Sequence, residues 1–136
     1  FLVRPSPFEI RYVGVPTFFQ SQATDPISHM WFRMRAPVLA NQHMHRAILA
    51  FATDLALLGT ALMPHGLRLQ SAALQSASLD HALWFHDDVA VDDWLLYTMD
   101  SPWSGHGRGY NRGMIFDRWG KLVASCTQEG LMRVKA

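Results

Sequence analysis

Between Gln42 and Met63 the sequence QHMHRAILAFATDLALLGTALM is dense in apolar side chains. Ala47, Ile48, Leu49, Phe51, Ala52, Leu55, Ala56, Leu57, Leu58, Ala61 and Leu62 reach nearly every face of a helix. Such a helix is expected to be covered by protein on most sides. Strong helix formers fill it, Asn41 stands where an N-cap is needed, and Pro64 and Gly66 end it. A bilayer span is not expected. The wholly apolar run falls short of the ~20 residues a membrane requires, and Asp54 interrupts it. With Phe51, Leu55, Leu57 and Leu58 about it, Asp54 is expected to be buried and to need polar neighbours from elsewhere in the fold.

The remaining chain alternates as strands do. Phe8 to Val13 and His29 to Ala36 suit strands on either side of a polar loop, Pro16 to Ser28, after a proline-containing lead-in over residues 1–7. Leu67 to Phe85 suits a short strand followed by a long one, and Asp87-Asp88 a turn. Trp94 to Ser101 and Arg108 to Phe116 are further strands, with a bend or bulge expected over Ser101 to Gly107. Asp117 to Gly120 reads as a hairpin turn, and Lys121 to Val134 as the closing strand. One helix and a run of antiparallel strands are satisfied together by a curved sheet wrapped round the helix. The expected class is therefore α+β, a hotdog architecture, as one domain over residues 1–136.

Period 2 is clearest in the closing strand. Leu122, Ala124, Cys126, Gln128, Gly130 and Met132 share the drier face, so Gln128 points at the core and its amide must find partners. Those partners are either nearby backbone or Asp54, since the dry face of the sheet is what covers the helix.

Composition narrows the alternatives. Hydrophobic residues make up 49% and charged residues 17%, and a net charge of +1 offers no attraction to nucleic acid or to an acidic membrane. One cysteine, Cys126, rules out an internal disulfide and suits a reducing, cytoplasmic setting. The chain opens on Phe1 without an initiator Met, which suggests a fragment or processed product. Its seven histidines show no metal-ligand spacing and read as scattered surface or loop residues, so no metal and no cofactor is expected. Ser78, Asp80 and His81 invite a hydrolase triad, yet in one continuous strand His81 faces away from the other two. Arg108 and Arg112 share a strand face and read as an exposed pair on an edge strand, with phosphate contact as the alternative.

Several ordered motifs resemble the type II acyl-CoA thioesterase family. They are His45-Arg46-Ala47-Ile48-Leu49-Ala50-Phe51-Ala52-Thr53-Asp54, Pro64-His65-Gly66 and Ala77-Ser78-Leu79-Asp80-His81-Ala82-Leu83-Trp84-Phe85-His86. Trp94-Leu95-Leu96-Tyr97, Arg108-Gly109, Arg112-Gly113, Gly120 to Ser125 and Gln128-Glu129-Gly130 continue the likeness, from about His29 to Arg133. The resemblance is to the C-terminal one of two hotdog domains. It implies hydrolysis of fatty acyl-CoA to free acid and CoA by a water held between an Asp, a Thr and a Gln. These fall on Asp54, Ser78 and Gln128, with serine in place of the family's threonine. The resemblance further implies a second hotdog domain as partner, either an N-terminal half or a second copy. Two other readings compete. One is a catalytically silent half that supplies only binding surface or assembly. The other, a hotdog hydratase, is disfavoured because Asp25-Pro26-Ile27-Ser28-His29 lacks that signature's Asn and precedes the helix.

Overall fold

The computed structural model describes residues 6–16, 19 and 22–135. In chain order the elements are β1 (Phe8–Val13), β2 (Ile27–Met34), α1 (Gln42–Leu62), β3 (Leu74–Ser78), β4 (Ala82–Phe85), β5 (Leu95–Gly105), β6 (Arg108–Asp117) and β7 (Leu122–Val134). The strands form one antiparallel seven-stranded sheet in the order β1-β2-β5-β6-β7-β3, with β4 also paired to β7. The helix packs against one face of this curled sheet, which is the expected hotdog arrangement.

The start of α1 is fixed by side chains that its sequence supplies. Asn41 Oδ1 accepts from the Met44 amide at 3.4 Å, satisfying one of the first-turn donors. Gln42 clamps the loop before β5 from both ends of its amide, donating to Val89 O at 2.9 Å and accepting from Val89 N. His45 ties the same loop to the segment before the helix, accepting from Val91 N at 3.1 Å through Nδ1 and reaching Val38 O at 3.1 Å through Nε2. The reading of the histidines as surface residues therefore fails at His45. At the far end Pro64 lies in a 3-10 turn, Met63–His65, and Gly66 adopts φ 64.

Inward-facing residues of the central strands form the core with Leu49, Ala52 and Leu57 of α1. Phe32, Tyr97, Ile115, Ala124 and Cys126 are all buried there. Two cross-strand glycines let the helix lie close. Gly109 and Gly130 face each other on β6 and β7. A Cβ on Gly109 would sit 2.6 Å from the Ala61 methyl, and one on Gly130 would collide with Leu58. Side chains at either position would push the helix off the sheet.

The helix is not wrapped on most sides, contrary to expectation. Met44, Phe51 and Leu55 are exposed at 48%, 60% and 54%, so one long flank is open. With its 3-10 extension the helix spans 24 residues, long and apolar enough to cross a membrane by length and composition. More than half of its most apolar 18-residue stretch is nevertheless buried inside the molecule, which accounts for that apolarity.

The strand boundaries differ from expectation in three places. β2 begins at Ile27 and ends at Met34. The expected long strand ending at Phe85 is broken between β3 and β4 at residues 79–81. The bulge near Ser101 is real, a register shift between Asp100 and Trp103, but β5 runs on to a turn at His106 and Gly107, with φ 52 and 72. β6 lies inside the sheet, so Arg108 and Arg112 are not on an edge. They are paired with Glu129 and Asp100, respectively, and both remain exposed. The Asp117–Gly120 hairpin forms as expected. Gly120 takes φ 89, and Asp117 accepts from the amides of Trp119 and Lys121 at 2.9 Å each. Of the proline-containing lead-in, residues 1–5 lie outside the described residues.

Candidate active site

Three elements bring the candidate residues together. Asp54 projects from α1, Ser78 is the last residue of β3, and Gln128 lies on the inward face of β7. Ser78 Oγ donates to Asp54 Oδ1 at 3.0 Å, and Gln128 Nε2 donates to Ser78 Oγ at 3.0 Å. The expected meeting of Gln128 and Asp54 is thus made through the serine hydroxyl. Gln128 is fully buried, as the alternation of β7 requires. Asp54 and Ser78 are exposed, and the expectation of a buried Asp54 is corrected. Asp54 lies on the uncovered flank of α1, where Phe51 and Leu55 are also exposed.

The break at residues 79–81 explains how Ser78 and His81 come to serve one cluster. Asp80 Oδ1 accepts from Glu129 N at 2.7 Å, while Glu129 O accepts from Leu79 N at 2.9 Å. These bonds hold the detour against β7 and reset the alternation, so that His81 turns inward. Its Nδ1 lies 2.6 Å from Gln128 Oε1 and its Nε2 2.9 Å from Thr53 Oγ1. Thr53 is fully buried, and its carbonyl accepts from the Tyr97 hydroxyl at 2.8 Å. No Ser-His-Asp relay arises, because the partners of His81 are Gln128 and Thr53. Sequence reasoning missed the place of His81 and of Thr53 in this cluster. A signal was present, since Asp is disfavoured inside strands and Asp80 marked the interruption.

The chemistry available is that of a carboxylate with one oxygen open and the other accepting from Ser78, whose hydroxyl is in turn oriented by Gln128. Such a group can hold and deprotonate a water. Among the described residues no group of three or more His, Cys, Asp and Glu side chains is placed to hold a metal ion. A concavity of about 490 Å³ lies on the other face of the sheet, lined by residues such as Trp84, Asp100, Arg112 and Met114. It contains none of Asp54, Ser78 and Gln128.

Residues 3–132 match the family described as acyl-CoA thioesterase C-terminal domain. The chain belongs to that family. It is 41% identical over 130 residues to acyl-coenzyme A thioesterase 8 of Mus musculus, covering 95% of this chain and 40% of the relative. It is 30% identical over 127 residues to acyl-CoA thioesterase 2 of Haemophilus influenzae, covering 93% of this chain and 44% of the relative. The chain thus spans less than half the length of these curated relatives. Among solved structures, acyl-CoA thioesterase II TesB2 of Mycobacterium marinum superposes with a TM-score of 0.80 at 35% identity. That match covers 100% of this chain and 56% of that one. A hot dog fold protein of unknown function from Alicyclobacillus acidocaldarius, 18% identical with a TM-score of 0.71, supports the fold alone. It covers 99% of this chain and 51% of that one.

Proposed function

We propose that this thioesterase-family chain carries a site for hydrolysing fatty acyl-CoA thioesters, with Asp54 as general base and Ser78 and Gln128 as its orienting donors. The observation that carries the reading is the continuous hydrogen-bonded line from Gln128 through Ser78 to Asp54, opening at an apolar surface. A water bound there gives one proton to Asp54 while its oxygen bonds to the thioester carbonyl carbon. The resulting tetrahedral intermediate collapses with cleavage of the C–S bond. The departing CoA thiolate takes the proton back, leaving the free acid. Ser78 and Gln128 contribute by holding carboxylate and water in one geometry. The mechanism needs neither cofactor nor metal. Exposed Phe51, Leu55 and Leu79 offer apolar contact for an acyl chain.

The same open flank supports a partner. Relatives more than twice as long, and a helix with one uncovered side, fit a second hotdog domain seated against this one, whether from the same polypeptide or from a second copy. A reducing, cytoplasmic setting is proposed from the single buried cysteine. The competing reading is a silent half that lends only surface to an active neighbour.

Release of free CoA thiol from a series of fatty acyl-CoA esters separates the two. For the chain and its Asp54→Asn variant, we expect activity and a loss of ~10²-fold or more in the variant. Equal rates would remove Asp54 from the chemistry. If neither this chain nor a two-domain protein containing it loses activity through Asp54→Asn, the silent reading stands.

A further inference from the structure

We propose that His81 is a positioning residue for this site: it fixes which way round the Gln128 amide lies, and thereby aims every donor in the line at Asp54. The inference rests on the hydrolytic reading for its consequence in turnover, but its structural content stands independently.

Proton counting carries the argument. A hydroxyl has one proton to donate, and an ionised carboxylate accepts only. Ser78 Oγ lies 3.0 Å from Asp54 Oδ1, so the serine proton is committed there. Ser78 must then accept from Gln128, which requires an amide N–H on that side, and Nε2 is found at 3.0 Å. Oε1 consequently faces His81 Nδ1, at 2.6 Å, and an amide oxygen can only accept. Nδ1 must therefore carry a proton. Turning the amide over would set Oε1 against a serine whose proton is already used, and would leave two acceptors facing each other.

The other side of the ring allows this assignment in either charge state. Thr53 Oγ1 lies 2.9 Å from Nε2 and 3.1 Å from Ala50 O. With a neutral ring, the threonine hydroxyl donates to Nε2. With a protonated ring, Nε2–H donates to Thr53 Oγ1, and the hydroxyl turns to the Ala50 carbonyl. Nδ1 remains a donor in both, so the orientation of Gln128 does not depend on the charge of the ring. Because Gln128 is fully buried, no bulk water stands ready to replace the histidine. Without that donor only the contact with Ser78 is left to tell the two ends of the amide apart, the Oε1 end is unpartnered, and the serine proton is less firmly directed at Asp54.

Two measurements on the intact chain test this. Long-range proton–nitrogen spectra of the His81 ring are expected to show the Nδ1–H form in the neutral state. A dominant Nε2–H form would overturn the proposal, with or without turnover. In acyl-CoA hydrolysis, His81→Ala and His81→Phe are expected to lower kcat about 10- to 100-fold with KM within about twofold. His81→Asn keeps an N–H close to the position of Nδ1 and should restore most of the loss. An asparagine variant no better than the alanine one, at matched folded content, would show that bulk alone matters and would overturn the proposal. If the unaltered chain hydrolyses no ester, the hydrolytic reading has failed on its own account, and the ring spectrum still judges His81.

Discussion

Tyr97 and Cys126 are two weak acids held in the interior, with the tyrosine hydroxyl 3.2 Å from the cysteine sulfur. Burial pushes the Tyr97 phenol well above its ordinary value of 10.0, and the adjacent thiol adds to the effect. Burial likewise raises Cys126 above 9.0, although bonds from Tyr97 and the Gly113 backbone act in the opposite sense. Both groups are neutral when protonated and ionise more readily in the unfolded chain. Their contribution to stability is complete below the ordinary values and is lost as pH rises towards the folded ones. The melting temperature should hold steady from neutral pH to about pH 8.5 and fall above that. Tyr97→Phe should soften the upper part of the fall, which thermal unfolding across a pH series would check. An alkaline limb of the same steepness in both proteins would contradict this account. The same strand face shows what a sequence can disclose about single residues. Alternation along β7 places Gln128 inward correctly, because period 2 holds wherever pairing is uninterrupted. It fails for His81, because the interruption at residues 79–81 is set by Asp80 reaching across to Glu129, a contact between distant parts of the chain. Asp54 was misread for another reason: a count of apolar neighbours says nothing about which flank the fold leaves open.

Helix and sheet meet over glycine. Gly130 receives Leu58 in space that a methyl group would occupy. Gly130→Ala should therefore destabilise the chain by roughly 1–3 kcal/mol, since the core must yield to fit it. Leu58→Ala alone opens a cavity costing about 2–5 kcal/mol. Combining the two should cost clearly less than their sum, because each change relieves the other. Urea unfolding of the four proteins measures this, and strict additivity would mean the helix does not bear on Gly130. The elements themselves were largely legible in the sequence, the helix nearly to the residue, because its caps and its apolar density act locally. Sheet order was not. That β6 lies inside the sheet and β1 at its margin follows from long-range pairing that no local pattern encodes.

At the scale of the whole molecule, one flank of the helix is uncovered. Met44, Phe51 and Leu55 recur at helical spacing along the open flank of α1, and Pro7, Phe8 and Met34 border a shallow apolar groove beside Phe51. A surface of that kind marks an association site. Sedimentation of this chain at micromolar concentration should show a dimer, and Phe51→Glu should return it to a monomer. A stable monomer before substitution would count against the pairing. This flank also bears on how the site is tuned. Asp54 belongs to the same rigid rod as Phe51 and Leu55, whereas Ser78 and Gln128 belong to the sheet. A helix rises only about 1.5 Å per residue, so all three helical side chains lie within one turn or so of each other. Any tilt or slide of the rod under a docked neighbour is therefore delivered almost undiminished to the carboxylate, while its donors stay where they are. Docking of such a neighbour and alignment of the proposed base would be, mechanically, one displacement.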